Sequence, residues 1–332
     1  MVTDRRRQLV LLAGVVAACA LLPYAVGSFH VFLLSRVFVY TIFALGVDLL
    51  WGYAGILSFG QAFFFGLGAY AYALTLFHLE HPAAVYPAFL LALALPFVVG
   101  LGIGYYLFRG KVGGPFFAII TLALSLVATQ TAISWYSFTQ GYNGITGILP
   151  LLLPLPGVGD VDFGNPVAYY YLLLAVCVLA SWVAWRLVRS PFGRVLMAIQ
   201  DNEDKAEAVG YNVAAYKGMI YAVSATFAGI AGALYAPLAG IVSPPLLGFE
   251  FSTEVLIWVL VGGRRSLWGA FVGALVVSYL NSVLSTIFVS RELLLIGPLL
   301  VLIVLFLPQG LVGGLRSLRS RRQPALAAAA KA

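Results

Sequence analysis

SPFGRVLMAIQDNEDKAEAVGYNVAAYK, residues 190–217, is a charged stretch set between two long apolar runs. Arg194, Asp201, Glu203, Asp204, Lys205, Glu207 and Lys217 fall inside it, in a chain that is 62% hydrophobic and 9% charged over 332 residues. Soluble domains carry roughly 25% charged residues. The composition therefore excludes an ordinary water-soluble domain. It predicts an all-α, polytopic membrane helix bundle that shows this loop to the cytoplasm.

About ten transmembrane helices are expected, at 8–27, 30–51, 61–78, 85–107, 115–134, 167–188, 218–237, 251–263, 267–289 and 292–308. A crossing helix takes about 20 residues, so the eighth and tenth runs are short. Orientation tests the count. With Arg5, Arg6 and Arg7 cytoplasmic, ten crossings place 17 of the 19 Lys and Arg residues on that side, leaving out Arg36 and Arg291. The outer connection 135–166 holds no Lys or Arg but does hold Asp160 and Asp162, as the positive-inside rule requires. Both termini are then cytoplasmic, and the net charge of +7 reflects sidedness; lipid is expected as a partner and nucleic acid is not. The membrane domain is expected over 1–315 with the loop 190–217 inside it, followed by a basic, Ala-rich, disordered tail over 316–332. Ala17-Ala18-Cys19-Ala20 also resembles a signal-peptide cleavage site, but the apolar run continues to Val26, which favours a retained helix. Cys19 and Cys177 both lie in apolar runs, so no disulfide framework is expected.

Polar groups inside such a bundle line a path or glue helices together. The Gly-punctuated segment from Trp51 to Gln61, which includes Ser58, reads either as a re-entrant turn beside a path or as a tight hairpin. Thr121, Ser125 and Thr129 repeat every four residues on one helix face, with Gln130, Thr131 and Ser134 at its outer end. Ser278, Asn281, Ser282 and Ser285 form a second stripe, and Asn143 lies in the outer connection. Ser58, Gln61, Thr121, Ser125, Thr129, Asn143, Glu254, Ser278 and Asn281 are the candidate path residues, helix glue being the competing role for the hydroxyls. The charges Arg36, Asp48 and Glu254 lie within or near spans, where ionised groups are expensive; the first two either snorkel or face the bundle interior, and Glu250 and Glu254 are expected at an outer mouth. Gly66, Gly68, Ala69, Ala71 and Ala73 read as a close-packing surface.

No phosphate loop, HExxH or Cys/His cluster is present, so catalytic, cofactor-binding and metal-binding residues are all expected to be none. Energy for active transport would come from another subunit or from an ion gradient. Within the charged loop, Ser190-Pro191 marks a helix start, Gly210 a C-cap, and Val195, Ile199, Ala206 and Val209 a short apolar face. A short amphipathic helix is predicted.

Ser190, Pro191, Phe192, Gly193, Arg194, Ala198, Glu203, Ala206, Gly210 and Lys217 resemble the coupling loop of the LivM-type branched-chain amino acid permeases of ABC importers. GYAGILSFGQAFFFGLGAY at 52–70, NGITGI at 143–148, AGIAGALYAPLAGIVSP at 228–244, LVGGRRSLWGAFVGA at 260–274 and LFLPQGLVGG at 305–314 resemble the same family in the same order. The resemblance implies an ABC importer permease fold and no enzymatic activity. It further implies a second, LivH-type permease, two cytoplasmic ATP-binding subunits and a periplasmic substrate-binding protein in a bacterial inner membrane, with Ser190 to Arg194, Ala198, Glu203, Ala206, Glu207 and Gly210 coupling to an ATPase. The block from Ile257 to Arg265 is closer to the UrtC-type urea permeases of the same superfamily, so urea or a short amide is the alternative cargo. An ion-coupled secondary transporter or channel, using Asp48 or Glu254, is the competing class.

Overall fold

The computed structural model describes residues 14, 17–79, 81–155, 159–287 and 310–313. Residues 17–25 are helical. After them come α1 (Ser28–Asp48), a π turn (Leu49–Tyr53), α2 (Gln61–His78), α3 (Val85–Arg109), α4 (Gly114–Ser134) and α5 (Pro166–Arg189). The charged loop forms α6 (Pro191–Asp201) and α7 (Glu203–Ala208), and α8 (Val213–Ala239), α9 (Phe249–Gly262) and α10 (Leu267–Ile287) complete the bundle. Two small antiparallel pairs cap one end: β1 (Ile145–Thr146) with β4 (Ile241–Val242), and β2 (Leu152–Leu155) with β3 (Gly159–Asp162).

Among the described residues, five helices are long and apolar enough to cross a membrane, or six if the bent pair is one span. They are α1 with its π turn, α3, α4, α5 and α8, and the pair α9–α10 bends by 116° at its break. The expected count of about ten is therefore not reached. The tenth run lies outside the described residues, as do residues 8–13, 15 and 16 of the first. The third and eighth runs fall short for different reasons. α2 has 18 residues, long enough to cross, but it begins at Gln61, ends at His78 and carries two tyrosines and a threonine between them; α9 has only 14, which at 1.5 Å per residue rise about 21 Å against a hydrocarbon core of about 30 Å.

Both short helices begin inside the bundle. Gln61, the first residue of α2, meets Ser224, three turns into α8, and the N–H of Ala62 donates to Ser252 Oγ in the first turn of α9 (2.9 Å). From that shared point α2 runs to His78, which faces Phe138 at the capped end. α9 runs the other way, to Gly262 and the Asp48–Arg265 contact. The chain enters each helix by a re-entrant segment, 54–60 from one side and 243–248 from the other. The Trp51 to Gln61 stretch is thus the re-entrant turn and not the hairpin.

Helix α1 and helix α8 form the centre, with 89% and 72% of their apolar windows buried, whereas α3, α4 and α5 are 28%, 22% and 33% buried. Glycine sets the contact of α8 with α2: a Cβ on Gly232 would stand 1.9 Å from Phe65 O, and one on Gly68 2.2 Å from Gly229 O. Ala69 and Ala73 are buried in the same surface, as the small-residue run suggests. Rings of Tyr40, Phe43, Phe65, Phe251 and Trp258 fill the junction of α1, α2 and α9, with Tyr40 and Trp258 stacked at 4.5 Å. Residues 17–25 lie on α5, where Tyr170 and Tyr171 donate to the carbonyls of Cys19 and Ala20 (2.6 and 2.8 Å). Both cysteines are free and buried.

The charges separate by end. Lys111 in the α3–α4 turn pairs with Glu207 (3.5 Å), and Arg265 in the α9–α10 turn bonds to Gln200, so three basic segments share one face. The β pairs and residues 135–155 and 159–165 occupy the other. Gly232→Val should overpack the α2–α8 contact, an effect of about 1–3 kcal/mol, and lower the melting temperature of the detergent-purified protein by several degrees, whereas Gly102→Ala, which meets nothing within 4 Å, should leave it unchanged.

Candidate functional site

The charged loop is two helices and not one. Ser190 Oγ caps α6 by accepting the N–H of Gly193 (3.2 Å), and Asn202 takes an extended conformation that ends α6 and caps α7 by accepting the N–H of Lys205 (2.8 Å). Gly210, with φ of +99°, closes α7 as expected, its left-handed backbone letting the Tyr211 N–H reach back to Ala206 O (3.1 Å). Ile199, Ala206 and Val213 form a small apolar cluster with Val195 and Tyr216. Val209 is not part of it; it is 78% exposed, a correction to the predicted apolar face. Glu203 is paired with Lys217 on α8, and Glu207 with Lys111. These anchors hold the loop against the bundle, and Arg194, Ala198, Asp201, Asp204 and Val209 remain exposed on its outer surface. Phe192 stacks on Tyr216 at 5.2 Å, and Gly193 fits a turn where a Cβ would meet Val188 O at 2.3 Å.

Ser58, Gln61, Thr121 and Ser125 come together around the re-entrant segment. Thr121 Oγ1 accepts the N–H of Phe59 (3.2 Å), Ser125 Oγ donates to Phe59 O (3.3 Å), and Ser58 Oγ accepts the N–H of Gly60 (3.2 Å). These hydroxyls supply the partners that a helix would have supplied. Ser224 Oγ donates to Gly46 O (2.7 Å) and lies 3.1 Å from Gln61 Oε1. Ser58, Gln61, Thr121 and Ser125 are all buried. Thr129 bonds to its own helix at Ser125 O (2.9 Å).

Glu254 and Asn281 meet in a second network with Arg36, and Ser278 lies one turn before Asn281 on α10. Asn281 Nδ2 donates to Glu254 Oε1 (3.0 Å), and an Arg36 terminal nitrogen donates to Tyr40 Oη (2.8 Å) with the guanidinium 5.4 Å from that ring. Arg36 and Glu254 attract each other electrostatically. Arg36 Nε, Trp258 Nε1, Ser278 Oγ and Asn281 Oδ1 are buried without partners. Glu254 therefore faces the bundle interior and not an outer mouth. Asp48 does not snorkel either: it is 1% exposed, and its Oδ1 accepts the N–H of Arg265 (2.9 Å).

Asn143 is exposed at the capped end, beside the β1–β4 pair. Near it, the outer half of α4 carries an open depression of about 480 Å³ lined by Val127, Gln130, Thr131, Ser134 and Trp135. The path candidates thus fall into separate groups within the described chain. Gln200, Ser224, Ser252 and Arg265 were not singled out by sequence. Two arginines in a glycine-flanked turn, Gly263-Arg264-Arg265, were the visible signal for the last.

Residues 29–306 match the family of branched-chain amino acid transport system permease components. The chain belongs to that family. The high-affinity branched-chain amino acid transport system permease protein LivM of Escherichia coli is 30% identical over 327 residues, covering 92% of this chain and 75% of that protein. The ribose import permease protein RbsC of Haemophilus influenzae is 24% identical, covering 63% and 64% of the two chains, and the permease protein LivH of Escherichia coli is 22% identical, covering 82% and 91%. No solved structure matches. As a transport permease the chain is a multi-pass membrane protein, and its family is not one of enzymes. For this permease, Thr121→Val should leave the Phe59 N–H without its partner and cost about 1–3 kcal/mol; Thr129→Val, which removes only a bond within one helix, should shift the thermal midpoint far less.

Proposed function

We propose that the chain is the LivM-type subunit of an ABC importer that moves branched-chain amino acids across the bacterial inner membrane, both termini being cytoplasmic. The observation that carries this reading is the α6–α7 loop: a capped, salt-bridged pair of short helices on the basic end of a chain belonging to a permease family. Such a rigid projection is suited to docking on an ATPase and fixing its register. Closure of two ATP-binding subunits would then push the loop and rock the bundle between outward- and inward-facing states. Specificity would reside mainly in a periplasmic binding protein, in keeping with a relative named for ribose import.

The translocation path lies, in this proposal, between this chain and a second permease. The support is α4, only 22% buried, which exposes Gln130, Thr131 and Ser134 along its outer half. A polar stripe of that kind is poorly matched to lipid and well matched to a water-lined seam. Thr129 and Asn143 would extend the seam, while Ser58, Gln61, Thr121 and Ser125 would set its floor from behind. The pair of permeases named LivM and LivH among the relatives favours two different subunits.

The tagged chain should recover an ATPase and a second permease from mildly solubilised membranes, and leucine, isoleucine or valine with the binding protein should stimulate hydrolysis. Stimulation by urea alone would move the cargo to the amide class, and recovery of the chain without any ATPase would favour ion coupling. In that complex Glu203→Ala should lower uptake per ATP several-fold by freeing α7 from Lys217, read as tracer uptake against phosphate release. Asn143→Cys should react with a membrane-impermeant maleimide in intact cells; labelling only after lysis would reverse the orientation.

A further inference from the structure

Three structures meet at one side chain at the basic end: the charged loop, the π turn that leads into the re-entrant segment, and the turn between α9 and α10. The side chain is Arg265. Its Nε donates to Gly52 O (3.0 Å), and a terminal nitrogen of the same guanidinium donates to Gln200 Oε1 in the last turn of α6. Its backbone is held as well. The N–H donates to buried Asp48 Oδ1 (2.9 Å) at the end of α1, and the carbonyl accepts from Tyr53 Oη (3.0 Å).

We propose that Arg265 is the positioning residue through which displacement of the α6–α7 loop reaches the re-entrant segment and the α9–α10 turn. This inference rests on the preceding reading that the loop docks on an ATPase. The planar guanidinium presents donors in a fixed fork, so two acceptors bonded to it keep one mutual geometry. Gln200 and Gly52 are those acceptors, one on the loop and one on the π turn. The loop also touches the re-entrant segment directly at Gly55, where an added Cβ would stand 2.9 Å from Gln200 Cγ. Arg264 adds a second grip from the same turn, its guanidinium lying 4.9 Å from the Trp51 ring.

Little slack exists on the Arg265 side. The residue holds φ of +59°, a conformation that non-glycine residues keep only where their surroundings determine it. Beyond it, α9 and α10 cross in backbone contact, with a Cβ on Gly262 falling 1.8 Å from Gly269 O. Motion of α6 is therefore passed to the π turn and to both helices of the bent pair. The floor of the re-entrant segment, bonded to Thr121 and Ser125 on α4, is the next element in line.

The test uses the complete transporter in vesicles, both permeases with the ATPases and binding protein, and reads cargo moved per ATP hydrolysed together with the melting temperature. R265A keeps the backbone requirement of Arg and removes the fork, so the ratio should fall at least fivefold while hydrolysis continues. R265K, a single ammonium that reaches one acceptor at a time, should give an intermediate ratio. Q200A should lower the ratio in the same direction, and R265A/Q200A should be no worse than R265A alone, because both remove one link. A merely structural role would lower the melting temperature and both activities together with the ratio intact, which overturns the proposal. So would an unchanged ratio in Q200A; that variant decides the matter alone if R265A fails to assemble. A wild-type chain that recruits no ATPase defeats the functional reading and this inference with it, whereas normal wild-type coupling with an unchanged R265A ratio defeats this inference only.

Discussion

A peptide group at membrane depth must find its hydrogen bonds inside the protein, because lipid offers none and an unmet group costs several kcal/mol. Residues 55–60 place non-helical backbone inside the bundle, and much of the surrounding structure follows from satisfying it. Thr121 and Ser125 on α4 bond to Phe59, Ser58 bonds to Gly60, and Ser252 takes the first free N–H of α2. The Ser252 bond also requires α9 to begin where α2 begins. Two short helices running in opposite directions, each entered by a re-entrant segment, are the result. Shortened helices of this kind leave irregular backbone inside the bundle, covered by α4 on one side and α8 on the other.

The same arrangement joins the core to its basic end. Helix α1 passes without a break into the π turn, so Asp48, Gly52 and the re-entrant segment form one continuous strip. Arg265 and Gln200 hold that strip to the charged loop, while Lys217 and Lys111 anchor the loop through Glu203 and Glu207. The exposed anchors are worth little singly as stabilisers, about 0–1 kcal/mol for a surface pair. Their contribution is positional: together they orient α6 and α7 relative to α8. The Arg36–Glu254–Asn281 network at the other junction of α9 and α10 is buried more deeply and still carries unpaired polar atoms, which marks it as a place where a change of state would alter hydrogen bonding.

Class, the gathering of basic segments at one end and the charged loop were legible because each rests on a local rule. Apolar run lengths predict crossing helices, Lys and Arg favour one end of a bundle, and Ser190 and Gly210 announce helix ends by cap chemistry. The span count was less legible. α9 reads as an ordinary short apolar run, and nothing local tells a reader that its first turn is docked on α2 inside the bundle. Likewise the stripe Thr121–Ser125–Thr129 announces a polar face without saying what it faces; two of its hydroxyls face a backbone segment some 60 positions away in sequence. Val209 misled because an apolar residue near a helix end looks like packing, whereas as the C-cap residue between α7 and Gly210 it stands on the outer side of α7.

The central structural claim is that the starts of α2 and α9 meet inside the bundle. Its most direct measurement is a cysteine pair, Ala62→Cys with Ser252→Cys, in a chain whose Cys19 and Cys177 are replaced by alanine and whose 190–217 loop carries a protease site. After oxidation in native membranes and cleavage of the loop, the two fragments should stay joined until a reductant is added. Fragments that separate without reductant, under oxidation strong enough to link a control pair at Phe192 and Tyr216, would contradict the arrangement on which the rest of the fold depends.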